Sequence, residues 1–455
     1  MKPKLIQTLC QQINHQLYRM QSKYYHHSVG NLLKEFDSYK TCNKIQEPSL
    51  NLDDLLNTEN RDKVEQNVKL RKTHVNLNEI YTLHEKYQLT KDESVRKDLL
   101  EKSMHIPNTT HPDAPKNEDF EVIRHTNEKK SFDFKPKSFL NLMNKHGYCR
   151  TDNLSHCLGN RSYYFDADLC LLENAVIQYV FNKLIGLNFQ LITVPDILSE
   201  DVVKRCGMNT RGERSQIYHL EPDYYGQGWC LSGTAEMGIA RFLMNQTIPQ
   251  SQLPMRIAAM SRCYRAEISD VADEKGVYRV HCFTKIEMFG VTLPEESEKH
   301  LNSLLQFEQD LFAELGLHIR TLNMGANELG AQAHRKYDVE AWMPGRKKWG
   351  ELSSCSDCTD YQAQRLNIRT DNGRFVHTLN GTACAIPRLL MALVETHQNE
   401  DGTINIPECL QSFMFNKKLI GEDKGVTLVR VKSSVSKTKK KQQAKAALSK
   451  VKAEG

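Results

Sequence analysis

The chain has 455 residues, 39% hydrophobic and 26% charged, with a formal net charge of +5. This is the mix of a folded protein of two or three domains, and it excludes disordered, collagen-like and repeat-built chains. No run of eighteen apolar residues occurs, which excludes a membrane-spanning helix. The positive charge sits at the ends. Residues 1–34 hold Lys2, Lys4, Arg19, Lys23 and Lys34 with no Asp or Glu, and residues 430–455 hold nine Lys or Arg against Glu454. The body between them is therefore net acidic, so any polyanion must meet local patches or the tails. The 13 cysteines show no small-scaffold spacing and read as reduced thiols of an intracellular compartment.

In chain order, Leu5, Leu9, Ile13 and Leu17 make one apolar stripe of a helix whose other face is basic and polar. Residues 1–34 thus read as a mitochondrial presequence, with a native surface helix as the alternative. Residues 35–136 read as an N-terminal helical domain and linker. Within 50–105 a Leu/Lys/Glu-rich run without Pro or Gly predicts two helices of about 15–20 residues. Pro107, Pro112 and Pro115 then break any helix, and the polar stretch to Pro136 reads as linker. Residues 137–425 read as one mixed domain. Leu172–Leu187, Leu301–Leu315 and Pro387–Thr396 predict helices; Phe189–Val194, Val277–Gly290 and Phe375–Leu379 predict strands. Strict alternation is missing, so an α+β fold with an antiparallel sheet is expected. Residues 426–455 read as a basic, disordered tail, either a phosphate contact or simply solvated.

Neither a GxxxxGK[ST] nor a GxGxxG loop occurs, so a nucleotide site must be built from side chains. Three segments carry charge inside strand-like or core-like sequence. Cys263-Tyr-Arg265-Ala-Glu267 is followed, after a polar stretch, by Arg279, His281, Phe283, Lys285 and Glu287 at period 2. A charged strand face is costly unless it meets a ligand or is salt-bridged at the surface. Glu351-Leu-Ser-Ser354 joins a carboxylate to hydroxyls, which suits a hard cation bridging phosphates. Pro387 suits a helix start, which places Arg388 where the helix dipole disfavours a cation and a bound anion would explain it. Arginines, carboxylates and one aromatic ring without a glycine cradle suit a nucleoside triphosphate with magnesium, together with a cationic amino group. Cys355-Ser-Asp-Cys358 lacks a second cysteine pair, so no zinc is expected.

These segments resemble, in order and spacing, the class II aminoacyl-tRNA synthetases, and among them seryl-tRNA synthetases of the mitochondrial type. Gly233-Thr-Ala-Glu236 looks like the serine-binding loop, and Cys263–Glu267 with Tyr278–Glu287 like class motif 2. Leu379–Arg388 looks like motif 3, and Thr193-Val-Pro195-Asp like the motif 1 proline at the dimer interface. Asp338–Pro344 and Glu351–Ser354 also match. The resemblance implies a class II antiparallel sheet flanked by helices, preceded by a short helical hairpin. It implies that Thr234, Ala235, Glu236, Arg265, Glu287, Asn380 and Thr382 bind serine, with Glu287 on the ammonium. Arg265, Ala266, Glu267, Arg279, Phe283, Glu351, Leu352, Ser353, Ser354 and Arg388 would bind ATP, with Arg265 and Arg388 catalytic and Glu351 and Ser354 on Mg2+. The implied partners are serine, ATP and mitochondrial serine tRNA. The implied assembly is a homodimer, or a heterodimer with a paralogue, in the mitochondrial matrix and without a membrane partner. The sequence departs from the family pattern at Cys282, where Gln or His is usual, at Lys275, where Arg is usual, and in its short N-terminal arm. The rival reading is a paralogue that keeps fold and dimer interface but has lost aminoacylation and acts as a binding or regulatory partner.

Overall fold

A computed structural model describes residues 46–151, 158–159, 161–212, 215–267 and 276–422. The stripe of residues 1–34, Lys275 and the Lys-rich tail lie outside them. No described helix is long and apolar enough to cross a membrane.

The N-terminal run makes three helices, α1 (Thr58–Leu70), α2 (Leu77–Thr90) and α3 (Glu93–Ser103), after a single turn at Leu52–Leu55. Two longer helices were expected. The reason is local: Asn57, Asn76 and Asp92 each accept a hydrogen bond from a backbone N–H two or three residues on. Such caps cut a run that composition alone would continue. Leu56, Val68, Ile80, Tyr81 and Leu99 bury the inner faces of these helices in a small core of their own.

This helical unit does not stand free; three buried arginines hold it to the body through main-chain carbonyls. Arg71 donates from Nη1 to Gly330 O at 3.2 Å and Ala331 O at 3.4 Å, from Nη2 to Ala333 O, and from Nε to Thr110 Oγ1 at 3.0 Å. Arg365 donates to Met104 O and Ile106 O, and Arg205 to Gln46 O and Arg365 O. With no carboxylate against it, the buried Arg71 guanidinium is pushed down to about 10 by desolvation.

The body is an eight-stranded sheet. Its strands are β1 (Phe120–Thr126), β2 (Gln190–Leu191), β3 (Met255–Tyr264), β4 (Cys282–Thr292), β5 (Ile319–Met324), β6 (Arg335–Met343), β7 (Lys348–Asp357) and β8 (His377–Ala385). Their order is β1-β5-β6-β7-β8-β4-β3-β2. Every pair is antiparallel except β2 with β3. The expected α+β class with an antiparallel sheet is what forms. One correction concerns the stretch read as linker, since it contains β1, which pairs with β5 at the sheet edge. Its sequence hides this, because an edge strand with five exposed residues in its middle has no alternation to read.

Helices α4 (Ala167–Gly186), α6 (Ser297–Glu314) and α7 (Ile386–Thr396) cover one face. α7 is buried almost throughout, and Leu389, Leu390 and Val394 are fully enclosed with Leu172, Val176, Ile286 and Phe312 in the main core. α5 (Ala235–Leu243) packs with a second cluster around Val202, Ile257 and Phe289. Gly238 lets α5 approach Val194, because a Cβ there would lie 2.7 Å from that valine's Cβ. α5 and its cluster thus cover part of the opposite face of β3 and β4, around Ile257, Ala259 and Phe289.

Candidate active site

The β3–β4 hairpin builds the first wall. Its register ends at Tyr264 opposite Cys282, and beyond it the two chains stay linked by Arg265 N–H to His281 O at 2.9 Å. Arg279 and His281 therefore do not continue the strand face as expected; the chain reaches β4 through a turn at Gly276–Tyr278. That turn carries Arg279 back over the cleft, where its Nη1 lies 3.3 Å from Glu267 Oε2. Gln216 Nε2 donates to the same carboxylate oxygen at 3.2 Å, and Ala266 N–H to Gln216 O. Phe283 lies under Arg265, whose guanidinium carbon is 5.3 Å from the ring centre. The departure at Cys282 falls outside this wall, in a separate cavity with Tyr163, Tyr218, Arg262 and Tyr264.

The second wall starts at α5. Thr234 caps it, its hydroxyl accepting from Glu236 N–H and donating to Glu287 Oε2 at 2.9 Å. Ala235 opens the helix and is buried with Glu236. Glu287 also forms an ion pair with Lys285. Burial raises the Glu236 carboxyl and the neighbouring Glu287 charge raises it further, while the amides of Asn380 and Gln362 pull it back. Gln362 Nε2 donates to Glu236 Oε1 at 2.7 Å, and Thr378 fixes the other end of that amide at 2.8 Å. Thr382 stands opposite Glu287 in the β8–β4 register. Two buried carboxylates side by side favour an incoming cation. Arg265 Nε donates to Gly233 O at 3.4 Å, so the guanidinium stands between this pocket and the hairpin wall.

The third wall is β7. In a regular strand Glu351 and Ser354, three apart, face opposite sides. Here Ser353 opposes Val339 and Glu351 opposes Glu340, so Leu352 is the extra residue of a bulge. The bulge brings Glu351 and Ser354 to the cleft face. Ser353 lines the cleft, but its hydroxyl donates at 2.9 Å to Glu308 Oε2, on the fully buried side chain from α6. Arg388, in the first turn of α7, donates to Glu351 Oε2 at 3.0 Å and Tyr278 O at 3.2 Å, and stacks 4.5 Å from the Tyr278 ring centre. Glu351 thus serves Arg388 as a counter-anion. Burial would lift Glu351, but Arg388 and Lys336 outweigh it and hold the carboxyl at about 2.

These walls line a cleft open to solvent, with ten of the expected residues on its surface, among them Arg265, Glu267, Arg279, Phe283, Glu351, Ser354 and Arg388. Thr234, Glu236, Glu287 and Asn380 form the adjoining pocket through the bonds above. Tyr278, Lys285, Lys336, Gln216 and Gln362 also belong to the site. Tyr278 and Lys285 lie within the motif 2 segment, Lys285 on its charged period-2 face, but carried no expected role; Lys336, Gln216 and Gln362 were not singled out. Cys355 and Cys358 are both buried, and among the described residues no three or more His, Cys, Asp or Glu are grouped to hold a metal.

Residues 218–397 match the tRNA synthetase class II core domain (G, H, P, S and T). A serine–tRNA ligase of Rubrobacter xylanophilus is 38% identical over 335 residues, covering 72% of this chain and 78% of that one. The chain belongs to the serine–tRNA ligase family. The mitochondrial serine–tRNA ligase of Mus musculus is 42% identical over 324 residues, which is 70% of this chain but only 62% of the mouse protein. Among solved structures of the family, seryl-tRNA synthetase from Pyrococcus horikoshii complexed with ATP is 29% identical at a TM-score of 0.69, covering 82% of this chain and 92% of that one. The cytoplasmic serine–tRNA ligase from Naegleria fowleri in complex with AMP is 25% identical at a TM-score of 0.72, covering 79% of this chain and 95% of that one.

Proposed function

We propose that the chain activates serine with ATP and transfers it to the 3′ end of a mitochondrial serine tRNA. The observation that carries this reading is the position of Arg265, tied to Gly233 between a carboxylate-lined pocket and an arginine-lined cleft. Glu287 and Glu236 hold the serine ammonium, and Thr234, Asn380 and Thr382 give a hydroxyl its hydrogen bonds. A pocket that pairs with a hydroxyl rejects alanine, which leaves those groups unpaired. Adenine stacks on Phe283, with Glu267 at its amino edge. Arg279 and Arg388 take the outer phosphates. The serine carboxylate then forms its bond to the α-phosphorus while the bond to pyrophosphate breaks. Arg265 neutralises the charge that gathers there, which is most of what such a displacement needs. The tRNA hydroxyl subsequently takes the seryl group and AMP leaves.

The bulged β7 offers one carboxylate and one hydroxyl on the cleft face, a donor set that fits Mg2+ shared with phosphates. When bound, the ion neutralises phosphate charge. The exposed apolar side chains Ile185, Leu187, Leu191, Phe242 and Met260 near the β2 edge support a dimer. The mitochondrial relatives and the pattern of residues 1–34 support a place in the matrix. The complete charged set of the cleft supports the enzyme over a non-catalytic paralogue, since even paired buried charges carry a desolvation cost that a site without use has no reason to keep.

Serine-dependent exchange of pyrophosphate into ATP tests the reading. Exchange with serine and little with alanine or threonine is expected; none from a folded protein refutes it. Arg265→Ala should lower exchange at least about 1,000-fold, about 4 kcal/mol of transition-state stabilisation, without changing the oligomeric state.

A further inference from the structure

The cleft face of β6 and β7 carries a row of carboxylates. Asp338 stands opposite Ser354, and Glu340 opposite Glu351. Opposed side chains lie about 5 Å apart at Cβ, and like charges so placed repel. Each acid has a resident cation. Arg388 Nη1 is 3.0 Å from Glu351, and Arg320 Nη2 is 2.6 Å from Glu340. Lys336 Nζ is 2.9 Å from one oxygen of Asp338 and 3.0 Å from the other.

The three cations are not equivalent. Arg388 is an ATP-facing residue that incoming phosphates would draw off Glu351. Arg320 sits away from Ser354, over the rings of Trp349 and Phe120. Lys336, two residues from Asp338 on the same strand face, stays beside the metal position. Its ammonium also feels the Glu351 charge. Glu351 and Ser354 give a hard cation two protein oxygens, while six are wanted. Asp338, directly across from Ser354, would be a third, and Lys336 occupies it.

We propose that Lys336 is a resident counter-cation that withholds Asp338 from free divalent ions, so that the metal enters the cleft only together with ATP. The inference rests on reading Glu351 and Ser354 as the metal ligands. Lys336 is a positioning residue here: it acts through Asp338. ATP brings the missing oxygens, and the empty site is left without a trap for stray metal.

Mn2+ titration of the full chain, read by electron paramagnetic resonance of the free ion with and without ATP, tests this. Lys336→Met should bind Mn2+ without ATP at least about tenfold more tightly than wild type. Lys336→Met/Asp338→Asn should return to the wild-type level, and with ATP all three should agree within about threefold. An unchanged ATP-free affinity in a Lys336→Met protein with normal circular dichroism overturns the proposal, as does a gain that survives Asp338→Asn. If Lys336→Met does not fold, Lys336→Gln is measured in its place against the same two outcomes. Glu351→Gln separates the two levels. Retained ATP-dependent Mn2+ binding in that variant refutes the metal-ligand reading. Its loss, with Lys336→Met silent, refutes only the counter-cation.

Discussion

Replacing Arg71 by Met keeps most of the side-chain volume and removes every donor of the guanidinium. Three main-chain carbonyls, Gly330, Ala331 and Ala333, and the Thr110 hydroxyl lose a partner that is 3% exposed. Gly330 O and Ala331 O keep the main-chain donors Ala333 N–H and Asn108 N–H, so the full cost of an unpaired buried acceptor, about 1–3 kcal/mol, falls on Ala333 O. The variant is also relieved of desolvating a charge that no carboxylate offsets, which burial has already driven down to about 10. Setting that relief against three or four lost bonds leaves a net cost of about 3–5 kcal/mol. The loss falls at one joint, so α1–α3 should open before the sheet does. Hydrogen exchange followed peptide by peptide reads this directly. Amides of residues 58–103 should exchange about 100-fold faster or more, while those of β4 and β8 keep their protection. Equal protection of the helices in wild type and Arg71→Met would refute the claim that carbonyl contacts hold them down. A uniform loss across the sheet would refute the claim that the joint opens separately.

Thr234→Val removes the 2.9 Å bond to Glu287; a bond to a charged group is worth about 1.5–3 kcal/mol, so KM for serine should rise about 10–100-fold in the exchange assay, with KM for ATP little changed. Glu308→Gln tests a neutral acid beneath the site. Burial raises its carboxyl well above 4.5, so the folded chain keeps a proton that the unfolded chain releases. Wild-type stability is then full below the ordinary carboxylate range and falls as pH rises towards the folded-state value. Denaturant melts should show a flatter pH dependence for Glu308→Gln, with its advantage growing from pH 5 to pH 8. Gly381→Ala places a Cβ 3.1 Å from Met288 Cε and 3.2 Å from Glu308 Oε1; the crowding should cost about 1–3 kcal/mol in the same melts.

What the sequence made legible was contiguous. Arg265–Glu267 and Asn380–Arg388 are short runs whose unusual polarity inside core-like sequence pointed to the cleft, whereas Thr234–Glu236 was legible only through the family resemblance. The helices of the body were legible because the apolar periodicity of α4 and α6 is set by one buried face, while α7 showed itself as an apolar run after Pro387 that is buried almost all round. What stayed hidden depends on a partner. β1 shows no alternation because its neighbour covers it from one side only. The turn that lifts Arg279 off the strand is fixed by where the hairpin register ends. The Leu352 bulge exists only relative to β6, so the spacing of Glu351 and Ser354 misstates which faces they share. Gln362 and Lys336 act on residues distant in sequence or hidden by an ordinary strand pattern, and nothing in their own neighbourhoods marks them.

The arginine joints have a bearing on how this chain tolerates change. Arg71, Arg205 and Arg365 read peptide oxygens, and a peptide oxygen is the same whatever side chain its residue carries. At these joints the backbone path sets the attachment, so an exposed side chain such as His105 is free to change, while Ile106 and Ala333 are also held by the apolar cores they enter. The three guanidinium groups share the joint with Asn108, whose side-chain amide donates to Gln332 O and Cys358 O at 2.8 Å, and contacts made to backbone in this way leave the exposed side chains around them free to change.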